Sequence, residues 1–116
     1  MKDLKQRTKD FSLRIIRLYA CLPRTTEAQV MGKQLLRSGT SVGAHYREAT
    51  RARSTAEFIS KLGGGHQELE ETSYWLELLG ESHTMNPERL TGLLAEADEL
   101  SAIFTTCIKN AKEKNK

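Results

Sequence analysis

The stretch KLGGGHQELEE at residues 61–71 holds the residue types most suggestive of chemistry: three consecutive glycines, a histidine and several glutamates. Phosphate-binding loops of the GxxxxGK[ST] or GxGxxG kind need a preceding strand and a following helix N-terminus, and this stretch has neither that context nor that spacing. The His-Gln-Glu at 66–68 matches the first half of the zinc-deaminase pattern, but the sequence has no second half. The stretch therefore predicts neither a phosphate loop nor a zinc deaminase.

The remaining acid, base and metal-ligand types also lack suitable partners. His45, His66 and His83 form no HExxH motif. His45 lies on an apolar stripe, which favours a hydrogen-bonded core histidine over a ligand or base. Glutamates without histidine partners are typical of a solvated or pairing face rather than a di-iron site; they are Glu68, Glu70, Glu71, Glu77 and Glu81. We expect a non-enzymatic protein with no catalytic residues, no cofactor and no metal.

Cysteine usage and hydropathy indicate a cytoplasmic protein. Cys21 and Cys107 are isolated, which favours small, buried, free thiols over a metal site or a disulfide. No apolar run approaches the ~18 residues of a membrane span. Met1 leads into the charged stretch MKDLKQRTKD, with no signal-peptide segment behind it.

The charge is unevenly distributed along the chain. Residues 1–53 carry 12 Lys/Arg against 4 Asp/Glu, a net charge of +8, whereas residues 54–108 carry 2 against 10, a net charge of −8. Residues 109–116 add +3. This asymmetry has three interpretations: a basic face for nucleic acid, opposite patches that join neighbouring subunits, or halves that neutralise each other within one fold.

Apolar residues recur at alternating steps of three and four, the pattern of helices with one buried face. The first stripe predicts helix 1 over about residues 3–21, because Pro23 pushes its predecessor out of helical geometry. A second stripe, from Ala28 to Ala52, has helical spacing but small and polar members. It predicts helix 2.

Two capping signals mark the starts of helices 3 and 4. Ser54 and Glu57 form a capping box, in which the Ser54 hydroxyl accepts from the Glu57 amide and the Glu57 carboxylate reaches back to the Ser54 amide. Helix 3 is expected from Ser54 to Leu79. Asn86 and Pro87 are a suitable N-cap and first-turn pair for helix 4.

The glycine triplet is predicted to lie inside helix 3, since the apolar stripe keeps its phase on both sides of it. Each helical glycine costs up to ~1 kcal/mol relative to alanine. One explanation is that Gly64 faces Gly43 of helix 2 and allows close backbone approach. The other is a tolerated weak point with local distortion. Both stay open at this stage.

Four helices with short connections predict an all-α fold, an antiparallel up-down-up-down four-helix bundle. We expect the bundle domain to span residues 1–111 and a basic C-terminal tail to span 112–116. Cys21 and Cys107 would lie at opposite poles of this bundle, too far apart for a disulfide.

Three stretches resemble a known family: SVGAHYREA at 41–49, STAEFISKL at 54–62 and ETSYWLELL at 71–79. In order and spacing they are similar to the bacterial four-helix bundle proteins encoded within intervening sequences of 23S rRNA genes. That family in turn resembles the accessory variability proteins of diversity-generating retroelements. The resemblance implies a ring-like homopentamer, nucleic-acid binding by a basic surface and, in the retroelement branch, a reverse transcriptase as partner.

The residues and the resemblance together favour a non-enzymatic oligomer that binds RNA or DNA phosphates nonspecifically. The candidate nucleic-acid-binding residues are Arg14, Arg17, Arg47, Arg51 and Arg53. Because exposed ion pairs contribute only about 0 to 1 kcal/mol each, apolar contacts must supply most of the association between subunits. The candidate interface residues are Phe11, Tyr19, Tyr46, Tyr74 and Trp75. Trp75, one step off the core stripe, is either half-buried within the subunit or wholly buried between two subunits.

The alternative is an adaptor that docks a protein, such as a polymerase, through the acidic surface of helices 3 and 4.

Overall fold

The computed structural model describes residues 3–115, so residues 1–2 and 116 of the expected domain and tail lie outside the described residues. It confirms the predicted bundle, whose Cα atoms extend over 50 × 22 × 21 Å. The helices are α1 Leu4–Ala20, α2 Thr26–Thr50, α3 Thr55–Glu81 and α4 Thr91–Lys114. Because α4 continues to Lys114, the lysine-rich segment after residue 111 is helical up to that residue.

The helix starts follow local capping chemistry, with two differences from expectation. Ser54 accepts a 3.0 Å hydrogen bond from the Glu57 amide, as predicted. The Glu57 carboxylate, however, accepts from the amide of Arg53 rather than from that of Ser54. Asn86 caps a short 3₁₀ turn, Pro87–Arg89, and α4 itself begins only at Thr91.

The core is one continuous column, since each helix directs its apolar stripe inward. Its fully buried large side chains are Phe11, Ile15, Leu35, Val42, Leu62, Leu69, Leu76, Leu79, Leu90, Leu100 and Phe104. The hydroxyl groups of buried Ser38 and Thr72 are hydrogen-bonded at 2.9 Å, so the small polar positions of α2 and α3 satisfy each other. Helix α2 makes extensive contacts with both α1 and α3, whereas α1 meets α4 only slightly.

Helix α3 runs unbroken through the glycine triplet, which confirms the predicted continuity. The predicted pairing of Gly64 with Gly43 is wrong, because Gly43 faces Thr8 of α1. A methyl group at Gly64 would instead lie 2.7 Å from Cε1 of His45, so this glycine makes room for an imidazole ring.

The other two glycines of the triplet differ from each other. A methyl group at Gly65 would lie 2.8 Å from Cε2 of Phe104, a ring that is completely buried. A methyl group at Gly63 would meet no atom within 4 Å. Close packing therefore explains Gly65, and it does not explain Gly63.

His45 and Cys21 also differ from expectation. The His45 Nδ1 is buried and has no hydrogen-bond partner within residues 3–115. The expectation that His45 is hydrogen-bonded is therefore wrong. The ring faces helical backbone at Gly64, whose amide is used within α3. Cys21 is exposed rather than buried because it caps the end of α1, and Cys107 is half-buried. Both cysteines are free thiols, as predicted.

Alanine at Gly63 and at Gly65 should have opposite effects on stability. We expect Gly63→Ala to raise the free energy of unfolding by about 0.5–1 kcal/mol, because a helical glycine is replaced where space is open. We expect Gly65→Ala to lower it, because overpacking against a buried ring costs about 1–3 kcal/mol and outweighs the propensity gain. Urea unfolding of the two variants measures this. A Gly65→Ala protein as stable as Gly63→Ala would contradict the packing assigned to Phe104.

Candidate nucleic-acid interface

The structure separates the five candidate arginines into two groups. Arg14 and Arg17 lie late in α1, where this helix meets the start of α2 and of α4: Tyr19 packs beside Gly32, and Arg14 beside Gly92. The other three arginines surround the turn from α2 to α3. At 1.5 Å per residue, the distance from Gly32 to Arg51 is roughly 28 Å. The candidates therefore form two sites at opposite poles rather than one patch.

We call the cations around the α2–α3 turn the lower cluster; they are Arg47, Arg51, Arg53 and Lys114. Arg47 and Arg51 are four residues apart at the end of α2, so they project from one face. Arg53 and Lys114 line a single cleft of about 330 Å³ beside the start of α3. The end of α4 thus adds its positive charge to the α2–α3 turn.

The upper cluster consists of Arg14, Arg17 and Arg89, which line one cleft with Leu18, Cys21 and Leu93. Sequence reasoning missed Arg89, which lies in the segment rich in acidic residues. Pro87 is the sequence signal that could have located Arg89. It starts the turn that joins α3 to α4, and this turn lies at the pole where α1 ends.

Ion pairs between the two halves of the chain neutralise part of the charge asymmetry. Arg7 of α1 contacts Glu96 at 2.7 Å and Glu99 at 3.1 Å on α4. Arg37 of α2 contacts Glu68 at 3.2 Å and also Glu71 on α3. Internal neutralisation therefore accounts for these two arginines.

The candidate arginines are different. Within residues 3–115, none of their side chains forms an ion pair, and all five are exposed. Their guanidinium groups are available to an external anion.

The expected interface aromatics fall into three environments. Phe11 is 1% exposed and belongs to the core, so its assignment to the interface is wrong: the α1 stripe turns it inward. Tyr19 and Tyr46 are half-buried; the Tyr19 hydroxyl contacts Gln29, and the Tyr46 ring packs on Phe104. Burial raises the pKa of Tyr46, with smaller contributions from Asp3 and Cys107.

Tyr74 and Trp75 form an aromatic pair on the outside of α3. The Tyr74 side chain is 53% exposed and packs edge-on against Trp75, with ring centroids 5.1 Å apart. Trp75 is half-buried, and its Nε1 donates a 3.0 Å hydrogen bond to Glu71. Trp75 is therefore half-buried within the subunit, and its complete burial between two subunits stays a prediction about the assembly.

Two further properties describe residues 3–115 as a whole. No helix in this range is both long and apolar enough to cross a bilayer. No three His, Cys, Asp or Glu side chains in it lie together in a way that would hold a metal ion.

Two of the three comparisons with known proteins find a match, and the solved structure among them supports the fold. The model of a family described as 23S rRNA-intervening sequence protein matches residues 2–106. The chain is also similar to a protein with unknown function from the S23 ribosomal protein family of Bacteroides thetaiotaomicron VPI-5482, solved by crystallography. The two are 39% identical over 92% of this chain and 99% of that one, with a TM-score of 0.87. The comparison with curated proteins finds no match.

The contacts of Glu71 predict a pH dependence of stability. Hydrogen bonding from Trp75, together with the Arg37 guanidinium, lowers the pKa of Glu71 below its ordinary value. Because the folded-state pKa is the lower one, the stabilisation is complete above the unfolded-state pKa of about 4.3 and is lost as pH falls through the folded-state pKa. Since the pair is partly exposed, we expect Glu71→Gln to cost at most about 1 kcal/mol at neutral pH, and nothing in strong acid.

Urea unfolding across this pH range measures the difference between Glu71→Gln and the parent protein. Glu77→Gln is the matched control, an exposed carboxylate on the same helix. A Glu71→Gln deficit that does not change with pH would contradict the assigned ionic contribution.

Proposed function

We propose that this chain, which belongs to the 23S rRNA-intervening sequence protein family, is a non-enzymatic oligomer that binds the phosphate backbone of RNA or DNA. The observation that carries the proposal is the contrast among its arginines. Arg7 and Arg37 are held in ion pairs, whereas the candidate arginines are exposed and unpaired within residues 3–115. A cytoplasmic location is part of the proposal.

Phosphate contacts of this kind are nonspecific. Arginine forms bidentate hydrogen bonds with phosphate oxygens, but such contacts carry no information about the bases. Each cluster holds three or four cations, so a single subunit would bind weakly. Several subunits on one strand would multiply these weak contacts through effective concentration. Nucleic-acid binding and oligomerisation therefore support each other.

The surface is also consistent with self-association. Within residues 3–115, four large apolar side chains are exposed on three helices: Leu13, Ile16, Val30 and Tyr74. Leu13 lies in a cleft that holds both arginines and carboxylates, whereas Tyr74 lies on α3 between glutamates. Two unlike apolar surfaces favour head-to-tail contacts, which form a ring when the rotation between neighbouring subunits closes. A homopentamer is the assembly that we propose, on the resemblance described above.

A second candidate function is an adaptor that docks a protein partner, such as a reverse transcriptase in retroelement relatives. The observation that favours it is an apolar cleft of about 560 Å³ at the α3–α4 turn. Its lining includes three leucines and two glutamates: Leu76, Leu90, Leu94, Glu77 and Glu81. A partner segment with apolar and basic residues would fit it.

Salt dependence tests the nucleic-acid function. We expect a fluorescently labelled oligonucleotide to bind with a log affinity that falls steeply against log salt, by about 0.7–0.9 for each phosphate neutralised. The triple change Arg47→Gln, Arg51→Gln, Arg53→Gln should make that slope shallower. The control Lys9→Gln, Arg24→Gln, Lys33→Gln removes the same charge from other exposed positions and should retain most of the slope. No binding at low salt, or a flat slope, would contradict the proposal and favour the adaptor.

Light scattering tests the assembly. We expect an oligomer at micromolar concentration at both moderate and high salt, because apolar contacts dominate and are not screened. Tyr74→Glu should reduce the mass while the helical content stays unchanged by circular dichroism, since this ring is largely outside the core. A parent protein that is monomeric at both salt concentrations would rule out the ring, and a dimer would indicate contacts between like faces.

A further inference from the structure

The upper cluster encloses a cleft whose charges are of one sign. Arg14 and Arg17 approach it from α1 and Arg89 from the 3₁₀ turn, around a volume of about 240 Å³. Its other lining residues are Leu18, Cys21 and Leu93, so no carboxylate lines it. Within residues 3–115, none of the three guanidinium groups forms an ion pair.

The carboxylates of the neighbouring cleft, and Glu88, do not line this cleft. Arg14 and Arg17 also border a neighbouring cleft that contains Asp10, Glu96 and Glu99. Arg7 binds Glu96 and Glu99 there, and Asp10 accepts a 2.9 Å hydrogen bond from Gln6. Glu88, beside Arg89 in sequence, is exposed and is not among the residues of the three-arginine cleft.

The start of α4 adds to the positive potential of this cleft. A methyl group at Gly92 would lie 3.0 Å from an Nη atom of Arg14, so this guanidinium rests on the first turn of α4. That turn has no side-chain cap and no acidic residue. Its partial positive charge therefore adds to that of the three arginines, none of which forms an ion pair within residues 3–115.

We propose that this cleft binds a phosphomonoester, the terminal phosphate of a nucleic-acid strand, and this proposal rests on the nucleic-acid function above for the source of the phosphate. A monoester has three free oxygens and up to two negative charges, which suit three guanidinium groups that converge from two elements. A backbone phosphodiester has two free oxygens and one charge. The apolar wall of Leu18 and Leu93 suits the sugar carbons that follow the phosphate.

The experiment compares one labelled single strand that carries a 5′-phosphate, a 3′-phosphate or only hydroxyl ends. We expect one phosphorylated form to bind about tenfold more tightly than the hydroxyl form, because charge-assisted hydrogen bonds are stronger than hydrogen bonds between neutral groups. Arg89→Gln should abolish this preference, and Arg89→Lys should retain only part of it because the planar fork is lost. The control is Arg24→Gln, which lines a different cleft near the same pole and should keep the preference.

A nucleoside 5′-monophosphate and inorganic phosphate serve as competitors that identify the source. If either displaces the phosphorylated strand from the parent protein but not from Arg89→Gln, the cleft recognises the phosphate group itself. Binding of the free monophosphate without any strand binding would keep the cleft and contradict the nucleic-acid function. Equal affinity for phosphate and hydroxyl ends, with no binding of either competitor, would overturn the proposed cleft while leaving backbone binding intact.

Discussion

The close packing of α2 against both of its neighbours is the constraint on which the rest of the structure depends. Towards α1, Gly39 leaves the space that Ile15 fills: a methyl group there would lie 2.7 Å from Cγ1 of that side chain. Towards α3, Gly64 leaves the space for His45, and the Ser38 and Thr72 hydroxyls meet in the core. These contacts fix the register of three helices, because sliding α2 by one turn would place larger residues at the close approaches.

This register decides where the charges lie. With α1, α2 and α3 held side by side, Arg37 meets Glu68 and Glu71, and α4 brings Glu96 to Arg7. Arg7 and Arg37 thereby find carboxylates, whereas the candidate arginines at the poles form no ion pair within residues 3–115. The same geometry brings Lys114 to Arg53 at one end and Arg89 to Arg14 at the other. The proposed binding surfaces are thus consequences of helix length and register.

The fold followed from the sequence because its signals are local. The Ser54 cap, the break at Pro23 and the stripe through the glycine triplet each depend on neighbouring residues alone. The partner of Gly64 depends instead on the rotation of α2 and the rotamer of His45, which spacing along one helix does not determine. Phe11 lies on the stripe that predicted the core, so its placement in an interface contradicted information already present.

The site was predicted in part. Helices 1 and 2 are antiparallel, so arginines late in α1 and late in α2 must lie at opposite poles. The selection of the five candidate arginines did not include this consequence. Arg89 was missed because net charge was summed over the acidic half of the chain. In the folded protein, however, Arg89 lies beside Arg14 and Arg17 of α1. The sequence shows how much net charge each segment carries. Which of these charges are neutralised depends on the register of the packed helices.

The central claim is that unpaired arginines at the poles, and not the paired arginines between helices, bind phosphates. The most direct measurement is the arginine Nε–Hε NMR spectrum of the protein, recorded with and without a short oligonucleotide. We expect the signals of the arginines at the two poles, such as Arg51 and Arg89, to shift, and the signals of Arg7 and Arg37 to stay in place. Shifts confined to Arg7 and Arg37, or an unchanged spectrum at low salt, would contradict it.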